Sequence, residues 1–476
     1  MPATIVETNT KKFKRKDIDP ITLDIIENAM MNARYEMDAV VFRTAMSPGI
    51  REQNDMFPMI ANLEGKMVVG QFGSFIHGFK EAYDGTIEEG DLFLTTDPYA
   101  CNGAISHIND WLLLRPIFKD GRLIAYAAMF GHMPDVGGKV PGSLPTDARE
   151  IFEEGIRVPP LKIFKNDELQ SDVLNLILHN SRMPTWNRSD FNALVAAMRT
   201  AEKRVIEMAE RFGDDEYYSA LDELLARNKR AMARLIKDTV PTKKQHFEDY
   251  ICDDGLGMGP YRIKCSMWRD KDKVVFDFDG TDPQSISSIN FYLNEEMFKM
   301  FCGVYMIMVF DPQIMFNDGF YDLMEVRIPE GTLLKPREPA ALSRVVPTHW
   351  GGFLTSWAGF WARVTPTSWR ALAFLTAHTL CIRVTTRTAS GISCTPSALA
   401  GSRASPQVTG PTGTHCGPAL LTCPTSSSRA TSRCVSRRTR RSPIAAARGT
   451  TAVVTACGWA TASWSLAPSL STMTAG

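Results

Sequence analysis

The chain has 476 residues, 44% of them hydrophobic, and 53 Lys plus Arg balance 53 Asp plus Glu. That length gives room for two or three domains with a sizeable core. The longest strongly apolar run, Phe301 to Phe310, falls short of the ~20 residues a bilayer demands. The basic N-terminus (Lys11, Lys12, Lys14, Arg15, Lys16) has no apolar stretch behind it, unlike a signal peptide. A soluble, cytoplasmic protein is expected, without membrane or nucleic-acid partners.

In chain order, Asp19 and Pro20 mark the start of a helix that continues over Ile21 to Ala45. Met59 to Gln71 reads as a hairpin turning at Glu64-Gly65, and Asp91 to Thr95 as a strand ending in Asp97-Pro98-Tyr99. Trp111 to Phe118 and Leu123 to Phe130 are apolar runs joined by Lys119-Asp120-Gly121-Arg122, a strong hairpin signal. Helices follow over Asp172–Asn180, Ser189–Phe212 and Asp215–Lys237. Tyr261 to Asp279 returns to strands, and Glu295 to Val309 is an apolar helix. Strands and helices fall in blocks, so the class is α+β. No internal repeat and no Gly-rich phosphate loop is present.

Beyond residue 338 the composition changes abruptly. Residues 1–338 carry all 53 acids and 40 bases, a net of −13, whereas 339–476 carry 13 Arg and no Asp, Glu, Lys, Asn or Tyr. At the upstream frequency about 22 acids belong in that stretch. A basic disordered arm normally uses Lys and avoids Trp and Cys, yet this stretch uses Trp and Cys freely. A slipped reading frame fits better. Read one base back, codons for Ser463 to Ala475 yield Phe-Leu-Glu-Pro-Gly-Thr-Val-Ser-Ile-His-Asp-Asp-Arg, and Leu354 to Arg363 also yields ordinary protein. The slip falls between about Ser343 and Phe353. The organisation is therefore a functional region over 1–343 and a non-native, out-of-frame tail over 344–476.

Five His lie before the tail: His77, His107, His132, His179 and His246. His107 and Asp110 precede the first strand of the Asp120-Gly121 hairpin, and His132 follows the second. Pairing across the turn places 109 or 110 opposite 132. Two imidazoles and a carboxylate then converge, a set suited to a divalent transition metal. Strict alternation would put Asp110 and His132 on opposite faces, so a one-residue bulge or a loop must re-aim one of them. The bland alternative is three polar residues with satisfied hydrogen bonds at strand ends. His179 and His246 fall in helical or linker context without a site role.

Several motifs resemble the hydantoinase B family. They are Asp97-Pro98-Tyr99, His107-x-x-Asp110, Gly131-His132-Met133-Pro134-Asp135-Val136-Gly137-Gly138 and Pro141-Gly142-Ser143-Leu144-Pro145-Thr146-Asp147. Glu150 to Gly155 and Ile156 to Pro160 follow in the same order, and the resemblance runs from about Asp19 to Ser343. It implies a metal (Mn, Zn or Fe) bound by His107, Asp110 and His132. Asp55, in the looser match Ile50 to Asp55, is the implied fourth ligand. It further implies a substrate or proton-transfer role for His77 and a carboxylate at Asp135 that orients His132. Asp97 and Tyr99 would hold the loop leading to the ligands.

The implied function is that of a B-type subunit in a hetero-oligomer. An A-type partner would use ATP to phosphorylate the carbonyl oxygen of a cyclic amide (hydantoin, 5-oxoproline or lactam), and the metal in this chain would activate the attacking water. A subunit of an ATP-dependent ketone carboxylase is the near alternative. A non-haem iron oxygenase, which also uses two His and a carboxylate, is the distant one.

Overall fold

The computed structural model describes residues 4–9, 12–73, 75–343, 386–388 and 391–393. The readings made for the tail, from 344 onward, therefore lie outside the described residues apart from two short paired strands. In chain order the elements are β1 (Thr4–Ile5), α1 (Pro20–Thr44), α2 (Pro48–Arg51), β2 (Met56–Ala61), β3 (Met67–Val69), α3 (Ile76–Ala82), β4 (Thr86–Ile87), β5 (Leu92–Thr95), β6 (Asp110–Lys119) and β7 (Arg122–His132). Then come β8 (Leu161–Lys165), β9 (Glu168–Leu169), α4 (Ser171–His179), α5 (Pro184–Phe212), α6 (Asp214–Thr239), β10 (Gln245–Ile251), β11 (Tyr261–Asp270), β12 (Lys273–Asp277), α7 (Glu295–Phe310) and β13 (Met324–Arg327). The short pair is β14 (Thr386–Thr388) with β15 (Gly391–Ser393).

The main sheet is antiparallel, in the order β3-β2-β7-β6-β5-β8-β9. Both of its long central strands, β6 and β7, are buried along nearly their whole length. One face of that pair packs against α5. There Trp111 is fully buried, edge-on to Phe191 at 6.3 Å between ring centres. Gly131 permits this approach, because a Cβ there would lie 3.0 Å from Ile50 and 3.1 Å from Leu194. Helix α1 packs against α5 through Leu23, Ile26, Met30, Ala33, Met37 and Val41, spaced three and four apart as a buried helical stripe requires. The Asp19 carboxylate accepts the Thr22 N–H at 3.0 Å, capping the helix as read from sequence. A second sheet, β10-β11-β12-β13, is antiparallel except for its parallel last pair. The mixed, block-wise class is thus α+β as expected, and among the described residues no helix is long and apolar enough to cross a membrane.

Several boundaries differ from the sequence reading. Helix α5 starts at Pro184, five residues before Ser189, because Pro184 occupies the first helical position. Asp190 serves a neighbouring turn, its Oδ1 accepting the Met46 and Ser47 N–H groups at 2.6 and 3.1 Å. His246 lies in strand β10, not in a helix or linker, and its Nδ1 meets Ser266 Oγ across the ladder at 2.9 Å.

The last continuous described residues are firmly held. Arg157 joins Asp97 to Glu338, Tyr99 Oη donates to the Ala340 carbonyl at 2.8 Å, and Glu154 Oε1 accepts the Leu342 and Ser343 N–H groups, each at 2.7 Å. Burial pushes the Glu154 carboxyl up to about 7, although the two backbone N–H bonds oppose the rise. The folded state therefore holds a proton that the unfolded chain has released above its ordinary carboxyl value. Glu154's contribution to stability is fully present at low pH and is lost as pH rises toward and through 7, by about 2 kcal/mol between pH 5.5 and 8. Urea unfolding at the two pH values should show this loss in the wild type, reduced by that amount in Glu154→Gln. Equal slopes in the two proteins would refute the assignment to Glu154.

Candidate metal centre

The β6–β7 hairpin builds the site. Asp120 and Gly121 both adopt positive φ, 53° and 71°, the two-residue turn that matches strand twist. Lys119 pairs with Arg122 and Phe118 with Leu123, but the register shifts between Ile117 and Phe118, so that Ile117 faces Ala125. Beyond that bulge Asp110 lies directly opposite His132. The bulge resolves the face problem posed by strict alternation, since directly opposed residues share a face.

His107 joins them from the preceding loop. Its Nε2 lies 2.9 Å from His132 Nδ1, and its Nδ1 lies 3.4 Å from Asp110 Oδ2 and 2.9 Å from Ser106 Oγ. His132 Nδ1 is 3.3 Å from Asp110 Oδ1. One donor atom from each of the three falls within 4.8 Å of the others, the only such group of three or more among the described residues. Two imidazoles and a carboxylate so close together fit a borderline divalent ion bound at ~2.0–2.2 Å by each donor.

Electrostatics favours the same use. Burial pushes His107 down to about 4, against the pull of Asp110 and with the help of His132, leaving a neutral ring with a free lone pair. At His132 burial disfavours the charged ring, but the hydrogen bond and charge of Asp110 and the charge of Asp55 outweigh it and raise the pKa. Asp55 stands next to His132 across β2 and β7. Its carbonyl accepts the His132 N–H at 3.0 Å, and its Oδ2 lies 3.9 Å from His132 Nδ1. Burial pushes the Asp55 carboxyl up to about 6, tempered by His132 and reinforced by Asp110. Asp55 thus borders the trio without belonging to it.

Two sequence-based assignments lie elsewhere. Asp135 does not reach His132. Its oxygens accept N–H groups from Gly137, Arg182 and Gly142 at 2.9–3.0 Å and pair with the Arg182 guanidinium at 3.0 Å. Burial works against its charge, but these bonds hold its carboxyl below the usual range. It organises the loop after His132 and leaves that ring's orientation to Asp110 and His107. His77 is exposed on α3, 3.3 Å from Glu81 Oε1, and makes no contact with the trio. Asp97 does hold its loop, with Oδ1 accepting the Tyr99 and Ala100 N–H groups. Sequence reasoning missed Asn109, whose Nδ2 donates to the Met133 and Gly142 carbonyls at 3.0 and 3.3 Å. It ties the His107–Asp110 loop to the one carrying His132, and its place inside the His-x-x-Asp motif was the available signal.

Comparison with known proteins follows the same lines. The family model described as hydantoinase B/oxoprolinase matches residues 19–424. The beta chain of caprolactamase from Pseudomonas jessenii is 31% identical over 335 residues, covering 68% of this chain and 56% of its own. The B-type subunit of a putative D-/L-hydantoinase from Pseudomonas sp. (strain NS671) is 27% identical, covering 68% and 58%. 5-Oxoprolinase 1 of Arabidopsis thaliana is 25% identical, covering 70% and 28%. The chain therefore spans little more than half the length of the first two and about a quarter of the third. Among solved structures, the ATP-dependent caprolactamase from Pseudomonas jessenii superposes with a TM-score of 0.63 at 28% identity, covering 69% of this chain and 57% of that one. Nucleotide-free acetone carboxylase gives 0.65 at 20% identity, covering 75% and 49%, a likeness of fold alone.

Proposed function

Because the chain belongs to the hydantoinase B/oxoprolinase family, we propose that it is the metal-binding B-type subunit of an ATP-dependent amidohydrolase that opens a cyclic amide. The observation that carries this reading is the buried His107–Asp110–His132 trio at the end of the β6–β7 hairpin. His107, Asp110 and His132 would hold the ion, with Asp55 beside it. When bound, a divalent ion supplies Lewis-acid polarisation and an activated water at neutral pH.

The chain's own residues do the rest. Asp110 aligns both imidazoles, and Asn109 fixes the two loops that carry them. Burial keeps His107 neutral and ready to donate its lone pair. Asp55, with its raised pKa, is placed to exchange a proton with a group at the trio's open side. An amide carbonyl is a poor electrophile. The reading therefore includes an A-type partner that phosphorylates the carbonyl oxygen with ATP, the two subunits forming a hetero-oligomer. The relatives named as subunits and the ATP-dependent caprolactamase support that division of labour. An open sheet flanked by long helices argues against the oxygenase alternative, whose fold would be a jelly roll.

The test is to purify the chain, with its reading frame restored near codon 345, together with a co-expressed A-type subunit and assay lactam and hydantoin opening. Turnover should require both subunits and consume ATP. Hydrolysis by this chain alone without nucleotide would overturn the division of labour. ATP-dependent carboxylation of a ketone, with no lactam opening, would favour the carboxylase branch.

A further inference from the structure

The rows of the main sheet next to the trio point to what part of a substrate sits there. Asp55, His132 and Asp110 form one row across β2, β7 and β6, through the Asp55–His132 backbone bond and the His132–Asp110 pairing. The next row on the same face is Phe57, Phe130 and Leu112, since Phe130 pairs with Phe57 on one side and Leu112 on the other. Two residues of strand separate the rows, about 7 Å. Phe57 and Phe130 touch with ring centres 5.0 Å apart, and Phe72 lies against both, at 4.8 and 5.5 Å.

Side-chain exposure rises along the cluster, from 5% at His107 and 6% at Asp110 to 19% at His132 and 41% at Asp55. Phe130 is buried, whereas Phe57 and Phe72, like Asp55, are only half-buried. The row provides no hydrogen-bond donor and no charge.

We infer that Phe57, Phe72 and Phe130 form an apolar subsite beside the trio, which takes the non-reacting methylene or aryl part of an uncharged ring. This rests on the cyclic-amide reading above and narrows it. Unsubstituted lactams of larger ring fit the subsite, whereas a five-membered ring bearing a carboxylate leaves it unfilled and brings a charge it does not match. Each methylene that enters such a surface is worth about fourfold in affinity.

The test is a ladder of five-, six- and seven-membered unsubstituted lactams together with 5-oxoproline. It is read as kcat/KM in the two-subunit complex of the frame-restored chain and as binding to that chain by saturation-transfer NMR. The wild type should gain about fourfold per added methylene and prefer the seven-membered lactam to 5-oxoproline. Phe72→Ala should flatten the ladder to less than about twofold per step, and Phe72→Trp should cut off the largest ring. Metal content is measured on the same samples. A flattened ladder with metal retained supports the subsite separately from the metal assignment. Binding to metal-stripped protein reads the subsite even where the hydrolase reading fails. A ladder unchanged in both Phe72 variants, or a wild type that prefers 5-oxoproline, would overturn the subsite.

Discussion

His107→Ala should strip the purified chain of its metal, taking it from roughly one equivalent to almost none and weakening affinity by at least about 100-fold. The magnitude follows from the site's economy. Among the described residues only three donors converge, and His107 is the most buried of them and the one held neutral. With it gone, Asp110 and His132 remain as a two-donor pair, and Asp55 lies 3.9 Å from His132 with more of its carboxyl in solvent. Asp110→Ala should act comparably and also loosen both rings, because its two oxygens meet both imidazoles. Elemental analysis of protein purified with its partner reads the outcome, and circular dichroism confirms that the hairpin persists. Full occupancy in the His107→Ala/Asp110→Ala double variant would sink the assignment of the ion to this trio.

The second large effect concerns the gene. Shifting the frame by one nucleotide near codon 345 should turn a poorly soluble, inactive product into a soluble one that supports turnover with its partner. The 13 Arg after residue 338 have no acid in the same stretch to pair with, and no Asp or Asn is available there for helix caps and turns. The opposite net charges of the two parts of the chain also favour non-specific association at low salt. A restored continuation would begin from a fixed point, since Glu154, Tyr99 and Arg157 hold residues 338–343 in place. The family match extends to residue 424, past the proposed slip, so resequencing codons 340–355 is the deciding measurement. An unslipped gene whose product is fully active as written would refute the frame reading.

The site was more legible in the sequence than the architecture around it. A His-x-x-Asp pair before an Asp-Gly hairpin and a His after it bring three candidate donors together by simple counting, because a short turn fixes the register of what flanks it. Counting could also show that a bulge or a loop was needed to re-aim one of them, but not which, or where. A bulge leaves no residue signature when, as at Ile117 and Phe118, every neighbour is apolar and buried. Strands β8 and β10 were missed for different reasons. Leu161–Lys165 is short and borders charged residues, although the turn after it uses Asn166 and Asp167 with positive φ. Gln245–Ile251 alternates half-buried and exposed residues, but its Glu, Asp and His disguised a half-covered strand as linker. From sequence Asp135 reads as orienting His132, but a carboxylate three residues after that ring can serve either the ring or its own loop. Arg182, 47 positions away, decides for the loop.

The bulge between Ile117 and Phe118 also constrains how this gene can change. It lies seven residues, about 23 Å, from Asp110, in a place where no side chain touches the trio. Yet it decides whether 22 positions separating Asp110 from His132 bring the two to one face or to opposite faces. What matters there is parity rather than chemistry. Deleting Ile124, the residue left unpaired there, would restore a regular ladder and still leave Asp110 opposite His132, whereas deleting a paired residue such as Ala127 with the bulge kept would turn one of the two to the other face. A one-residue loss is therefore tolerated at the bulge itself, and elsewhere in the hairpin length changes are tolerated only in twos. A lineage could replace much of its apolar wall before it could lose one paired residue from it.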